Sequence, residues 1–128
     1  MTSEKEPENK EPEVIKHKFK KDRYANARGG SSEFLNIYCG TCKTHIALYQ
    51  KDGPGSLLRM YLDRIFEPED LAGLQESETK TPNLSCPSCH TLIAVPMIYK
   101  PENRSALRLI KGTFFKKKSN GTYPPEAK

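Results

Sequence analysis

Cys39-Gly40-Thr41-Cys42 and, after a gap of 43 residues, Cys86-Pro87-Ser88-Cys89 use every cysteine in the chain. Two matched Cys-x-x-Cys pairs supply the four soft ligands of a closed tetrahedral zinc site. Within each pair the two intervening residues make a tight turn that lets both sulfurs face one ion. Gly40 relaxes the first turn and Pro87 presets φ in the second. Thiolates prefer zinc or an iron–sulfur centre over Mg²⁺ or Ca²⁺, so the expected cofactor is Zn²⁺ held by Cys39, Cys42, Cys86 and Cys89.

Three rival uses of these cysteines fit less well. Disulfides persist in oxidising compartments, and the polar, acidic residues 1–13 do not resemble a secretory signal. Thioredoxin-type exchange needs one Cys-x-x-Cys at a strand-to-helix junction, and here there are two pairs. Cys86-Pro-Ser-Cys89-His90 matches the pattern of covalent c-type haem attachment, but that role leaves Cys39 and Cys42 unused. The expected compartment is the cytoplasm or another reducing interior.

The chain has 128 residues and 35% hydrophobic content, with no Trp. That is one domain at most, with a core too thin to stand comfortably without a staple. A structural Zn²⁺ supplies on the order of 10 kcal/mol of folding free energy. No apolar run is long enough to span a membrane. Large apolar residues concentrate between Phe34 and Phe115, so the expected organisation is a tail over 1–33, a zinc domain over 34–116 and a flexible tail over 117–128. Both termini read as disordered and charged.

Between the cysteine pairs, residues 34–38 and 45–50 read as strands flanking the first turn. The segment Leu57 to Ile65 fits a helix or a strand. The turn at Asp52-Gly53 favours a strand hairpinned with His45 to Gln50. Pro68 and the acids after it predict a short helix start. Leu92 to Tyr99 is the most strand-like run, with Pro96 placing it at an edge or bulge. Ser105 to Ile110 and Thr113 to Phe115 suggest a last hairpin around Gly112.

These turns resemble the knuckles of zinc ribbons. The long gap between them resembles the β-tent fold of B-class methionine sulfoxide reductases and Yippee-type domains. The resemblance implies a small β-rich zinc-ribbon or β-tent-like domain with one short helix. A sulfoxide reductase of that type needs a reactive thiol outside the metal site, and this sequence has no fifth cysteine. Four protein ligands also leave no open position on zinc for catalytic water. His17, His45 and His90 read as surface or supporting groups, and Glu67, Glu69 and Asp70 as the start of a helix. The expectation is a protein that is not an enzyme.

Charge is segmented: residues 1–13 carry a net −3 and residues 14–28 a net +5. Residues 67–83 carry −4, and residues 84–128 carry +6. Four thiolates on one Zn²⁺ lower the formal total by two. The basic clusters predict nucleic-acid contact, RNA ahead of DNA, directly or within a protein complex containing it. The candidate phosphate ligands are Lys16, Lys18, Lys20, Lys21, Arg23, Arg28, Arg104, Arg108, Lys111, Lys116, Lys117 and Lys118. Phe19, Tyr24, Phe114 and Phe115 are candidates to stack on unpaired bases. The alternative is a zinc-stabilised protein-interaction module, built on the acidic segment Glu67 to Glu78 and the strand edge near Pro96, or a β-tent small-ligand binder.

Overall fold

Leu35, Ile37 and Cys39 alternate with Phe34, Asn36 and Tyr38, a period of two that puts the first set on one face of a strand. In the computed structural model this strand is the second of ten among the described residues. The structure describes residues 15–22, 24, 31–53, 55–76 and 81–124. The strands are β1 (Ile15–Lys16), β2 (Ser32–Cys39), β3 (His45–Asp52), β4 (Arg59–Tyr61), β5 (Ile65–Glu67), β6 (Leu84–Ser85), β7 (Leu92–Tyr99), β8 (Arg104–Leu109), β9 (Phe114–Ser119) and β10 (Thr122–Tyr123). One short helix, α1 (Glu69–Ala72), follows Pro68, whose carbonyl accepts from the amides of Leu71 and Ala72. The expected β-rich domain with a single short helix is present.

The strands form two four-stranded sheets, ordered β5-β3-β2-β9 and β4-β8-β7-β6, and a small β1-β10 ribbon. The two larger sheets share one apolar cluster. Leu35, Ile37, Ala47 and Tyr49 enter it from the first sheet, and Met60, Ile93, Leu107 and Leu109 from the second. Burying a large apolar side chain of this kind contributes roughly 1.5–3 kcal/mol. Cys39 and Cys86 belong to the same cluster, so the candidate metal ligands sit at the seam between the sheets.

Two sequence expectations need correction. The segment Leu57 to Ile65 is neither a continuous helix nor one strand. β4 pairs with β8, a 3₁₀ turn spans Leu62–Arg64, and β5 then pairs with β3. The chain thus crosses from one sheet to the other within a few residues. Met60, Leu62 and Ile65 all reach the core because the turn re-aims them. Likewise, β8 and β9 make no hairpin. β8 pairs with β4 and β7, whereas β9 pairs with β2. Gly112, at φ 89°, turns the chain from one sheet toward the other. The amide of Gly40 then donates to the Thr113 carbonyl at 2.8 Å. A Cβ at Gly40 would meet that carbonyl group at 3.2 Å, so glycine is there for close backbone approach as well as for the turn.

β7 behaves as Pro96 foretold. β6 pairs with it only from Leu92 to Ala94, so Pro96 sits where its missing N–H costs no ladder bond on that side.

The folded body also extends past the expected limits of 34 and 116. β2 begins at Ser32 and β9 runs to Ser119. β1 pairs with β10, Ile15 with Tyr123 and Lys16 with Thr122. From β1 the chain continues as a strap. Phe19 stacks on Phe34 at 4.4 Å, and the Lys20 amide donates to Gln50 Oε1 at 2.7 Å. Asp22 then reaches Arg64. Residues 1–14 and 125–128, expected to be disordered, lie outside the described residues, as do Arg23 and Arg28.

Candidate metal centre and cationic surface

Each Cys-x-x-Cys turn is built the same way. The Cys39 amide donates to the Thr44 carbonyl and the Lys43 amide returns to the Cys39 carbonyl, at 2.8 and 2.9 Å. The Cys86 amide and Thr91 carbonyl, and the His90 amide and Cys86 carbonyl, repeat those distances. Lys43 and His90 occupy the same left-handed position, with φ of 70° and 68°. This strained backbone is uncommon outside glycine. It folds the chain back so that amides of Thr41 and of Ser88 face the first sulfur of their own pair, each at 3.4 Å.

The four Sγ atoms lie within 4.8 Å of one another. Across the seam, Cys39 and Cys89 are 3.6 Å apart, and Cys42 and Cys86 3.5 Å. A tetrahedral ion with metal–sulfur bonds of about 2.3 Å sets sulfurs roughly 3.8 Å apart. A disulfide would need about 2 Å, and all four cysteines are free. The donor set therefore fits one thiophilic ion held jointly by the β2–β3 and β6–β7 connections.

The surroundings favour thiolate. The Thr44 hydroxyl lies 3.1 Å from Cys42 Sγ, and the Thr91 hydroxyl 3.1 Å from Cys89 Sγ. The Thr44 hydroxyl and amide pull Cys42 down to about 6. Cys39 is lowered too, first by the backbone N–H of Cys42. At Cys89 the Thr91 hydroxyl and amide act in the lowering direction, but burial and the neighbouring Cys39 and Cys42 sulfurs push the thiol up. Four sulfurs this close cannot all ionise without a cation between them. A dication at the centre removes that conflict.

The threonines were missed at the level of sequence. The signal was present as a repeat: Cys-x-Thr-Cys-x-Thr in the first turn and Cys-x-Ser-Cys-x-Thr in the second. Thr91 Oγ1 also bonds Thr41 Oγ1 across the seam at 3.4 Å.

The histidines have other roles than ligation. His45 Nε2 lies 2.8 Å from Asn36 Oδ1, and burial lowers its pKa, which keeps the ring neutral at pH 7. His17 pairs with Glu67 at 2.9 Å, and the His90 side chain is exposed.

The expected phosphate ligands divide sharply. Arg104 is withdrawn from the surface. Its guanidinium bonds Asp63 and Glu102 at 2.7 and 2.8 Å and lies between the Tyr24 and Tyr61 rings, 3.9 Å from each. This corrects its assignment, and Tyr24 as a free stacking platform goes with it. Lys20 is half-buried with its ammonium on the Asp63 carbonyl. Phe114 packs against the core. Lys16, Lys18, Lys21, Arg108, Lys111 and Lys116 to Lys118 are exposed.

Arg64 is a fully buried charge that the sequence did not reveal. Its side chain is 0% exposed, with Nε on Asp52 at 2.8 Å and both terminal nitrogens on the Asp22 carboxylate at 3.0 and 2.7 Å. That guanidinium holds Asp22 well below the usual carboxylate range.

No helix among the described residues is long and apolar enough to cross a membrane. No family model, curated protein or solved structure matches the chain.

Proposed function

We propose that the ion is a structural Zn²⁺ and that the chain is a non-catalytic, zinc-ribbon or β-tent-like module that binds nucleic acid, RNA ahead of DNA. The observation that carries the reading is the outer face of the first sheet. By the β2–β9 register, Phe34, Asn36, Tyr38 and Phe115 share that face. Two stacked aromatic pairs lie on it: Phe19 on Phe34, and Phe115 on Tyr38 with centroids 5.1 Å apart and an interplanar angle of 11°. Phe34 and Tyr38 are four positions apart along the strand, about 13 Å. Lysines border both pairs. Lys16, Lys18 and Lys21 lie beside the first, and Lys43 and Lys117 reach over the rings of the second. Aromatic platforms among cations are what a flexible polyanion with exposed bases requires.

The test is fluorescence anisotropy of labelled single-stranded RNA, single-stranded DNA and duplex DNA across a salt titration. Phosphate-driven binding weakens steeply with salt, and charge reversal at Lys18 and Lys117 reduces the slope. Absence of binding to all three probes, or affinity indifferent to salt, would overturn the reading.

A second reading, strand addition by a protein partner, has one observation in its favour. Among the described residues no strand pairs with β7 on its β6 side beyond Ala94, and Ile98 there is 57% exposed. Binding of that kind responds little to salt.

A further inference from the structure

We infer that the groove beside Phe19 receives one unpaired base with its flanking phosphates, which makes the protein selective for single strands. The inference rests on the nucleic-acid reading and assigns it a site. The groove encloses about 590 Å³, within the usual range for a small-molecule site. Phe19 and Phe34 form its apolar surface, and Lys16, Lys18 and Lys21 stand around it. Among the described residues Glu33 is the one carboxylate in its lining, against three lysines.

Phe19 is 39% exposed although the ring lies nearly parallel to Phe34, at 17°. One face of a flat apolar ring is thus covered and the remainder is open among cations. That is the arrangement for base stacking next to phosphate neutralisation. Ser119 and Asn120 complete the lining. Ser119 Oγ already accepts from the Gly121 amide at 2.9 Å, and Asn120 Oδ1 from the Thr122 amide at 3.0 Å. Each side chain can still donate, through a hydroxyl hydrogen or the amide hydrogens, to the carbonyl and ring-nitrogen acceptors of a base, and keeps one acceptor lone pair.

The groove is held in shape before any ligand arrives. The His17 amide donates to the Gly121 carbonyl at 2.9 Å. Gly121 has φ 91°, and a Cβ there would stand 2.8 Å from the Phe34 ring and 2.9 Å from the His17 carbonyl. Only glycine lets β10 approach the strap this closely. A preformed site lowers the ordering cost of binding. In a duplex each base is stacked on both sides, so the ring of Phe19 has no base face to meet.

The chain lacks tryptophan, so Phe19→Trp in the full zinc-loaded protein places a sole indole reporter in the groove. Its emission is followed together with the anisotropy of a labelled single-stranded oligoribonucleotide and of the same sequence annealed as a duplex. The expected result is quenching that tracks single-strand binding and is absent with duplex. Phe19→Ala, and Phe19→Leu, which keeps apolar bulk without a flat ring, each weaken single-strand binding about tenfold and leave duplex affinity unchanged. Single-strand binding without quenching, or equal losses on both probes, overturns the assignment of the groove while the nucleic-acid reading stands. No anisotropy change with either probe removes that reading and the groove assignment together.

Discussion

The cysteine-centred body and the strap over residues 15–22 are held to the fold by different chemistry. The body joins two sheets through four sulfurs at their seam. The strap is held by a buried arginine, a stacked phenylalanine and a two-residue ribbon. A structural zinc contributes on the order of 10 kcal/mol or more, comparable to the whole stability of a small domain, about 5–15 kcal/mol. The strap's contacts are individually worth a few kcal/mol at most. On the proposed reading the body is all-or-none in metal, whereas the strap's contacts do not depend on the ion. The surface proposed to meet nucleic acid draws on both.

The largest expected effect comes from the body. Cys86→Ala removes one ligand from the seam, and circular dichroism and NMR of that variant should report an unfolded chain at every metal concentration that keeps the parent folded. A variant that stays folded would place the staple elsewhere.

Next comes Arg64, which links body and strap. Arg64→Met leaves Asp52 buried without its cation, and breaking a buried pair in this way costs about 3–5 kcal/mol. Urea titration should show that loss, along with broadening of strap resonances. Gly121→Val is expected to be milder, about 1–3 kcal/mol from the clash with Phe34 and the left-handed backbone. Its damage should stay in β1, β10 and the groove, with metal content unchanged.

The smallest effect is at Asp22, whose side chain is 43% exposed. Asp22→Asn should cost about 1 kcal/mol or less. Its pH signature is more telling than its size. Arg64 depresses the folded-state pKa of Asp22. The contribution is therefore complete above the unfolded value of about 4, and is lost as the pH falls from there through the depressed folded value. Amide exchange at Lys20, which donates to Gln50, should quicken over that range in the parent and show no such step in Asp22→Asn.

The same contrast explains what could be read before the fold was known. The cysteine turns, the strand at Leu92 to Tyr99 and the short helix after Pro68 are written in local residues, because turn chemistry and a period of two need no distant partner. The strap was not legible. Lys16 to Asp22 looks like a solvated basic run until Arg64, more than forty residues away, supplies the counter-charge for Asp22. Arg104 misled for the same reason: Asp63, Glu102 and two tyrosines enclose it from other elements. The split of 57–67 between sheets and the missing β8–β9 hairpin follow from pairing partners that neither segment contains. Local signals brought out the cysteine cluster and assigned too many of the cations to the surface.

The central claim is that one divalent ion, gripped by both cysteine pairs, closes the seam. Native mass spectrometry of the purified protein, repeated after titration with a strong chelator and read beside an NMR spectrum of each sample, tests it most directly. The account predicts one zinc per chain and collapse of the dispersed spectrum as the metal leaves. Metal-free protein with a dispersed spectrum, or a spectrum indifferent to chelation, would contradict it.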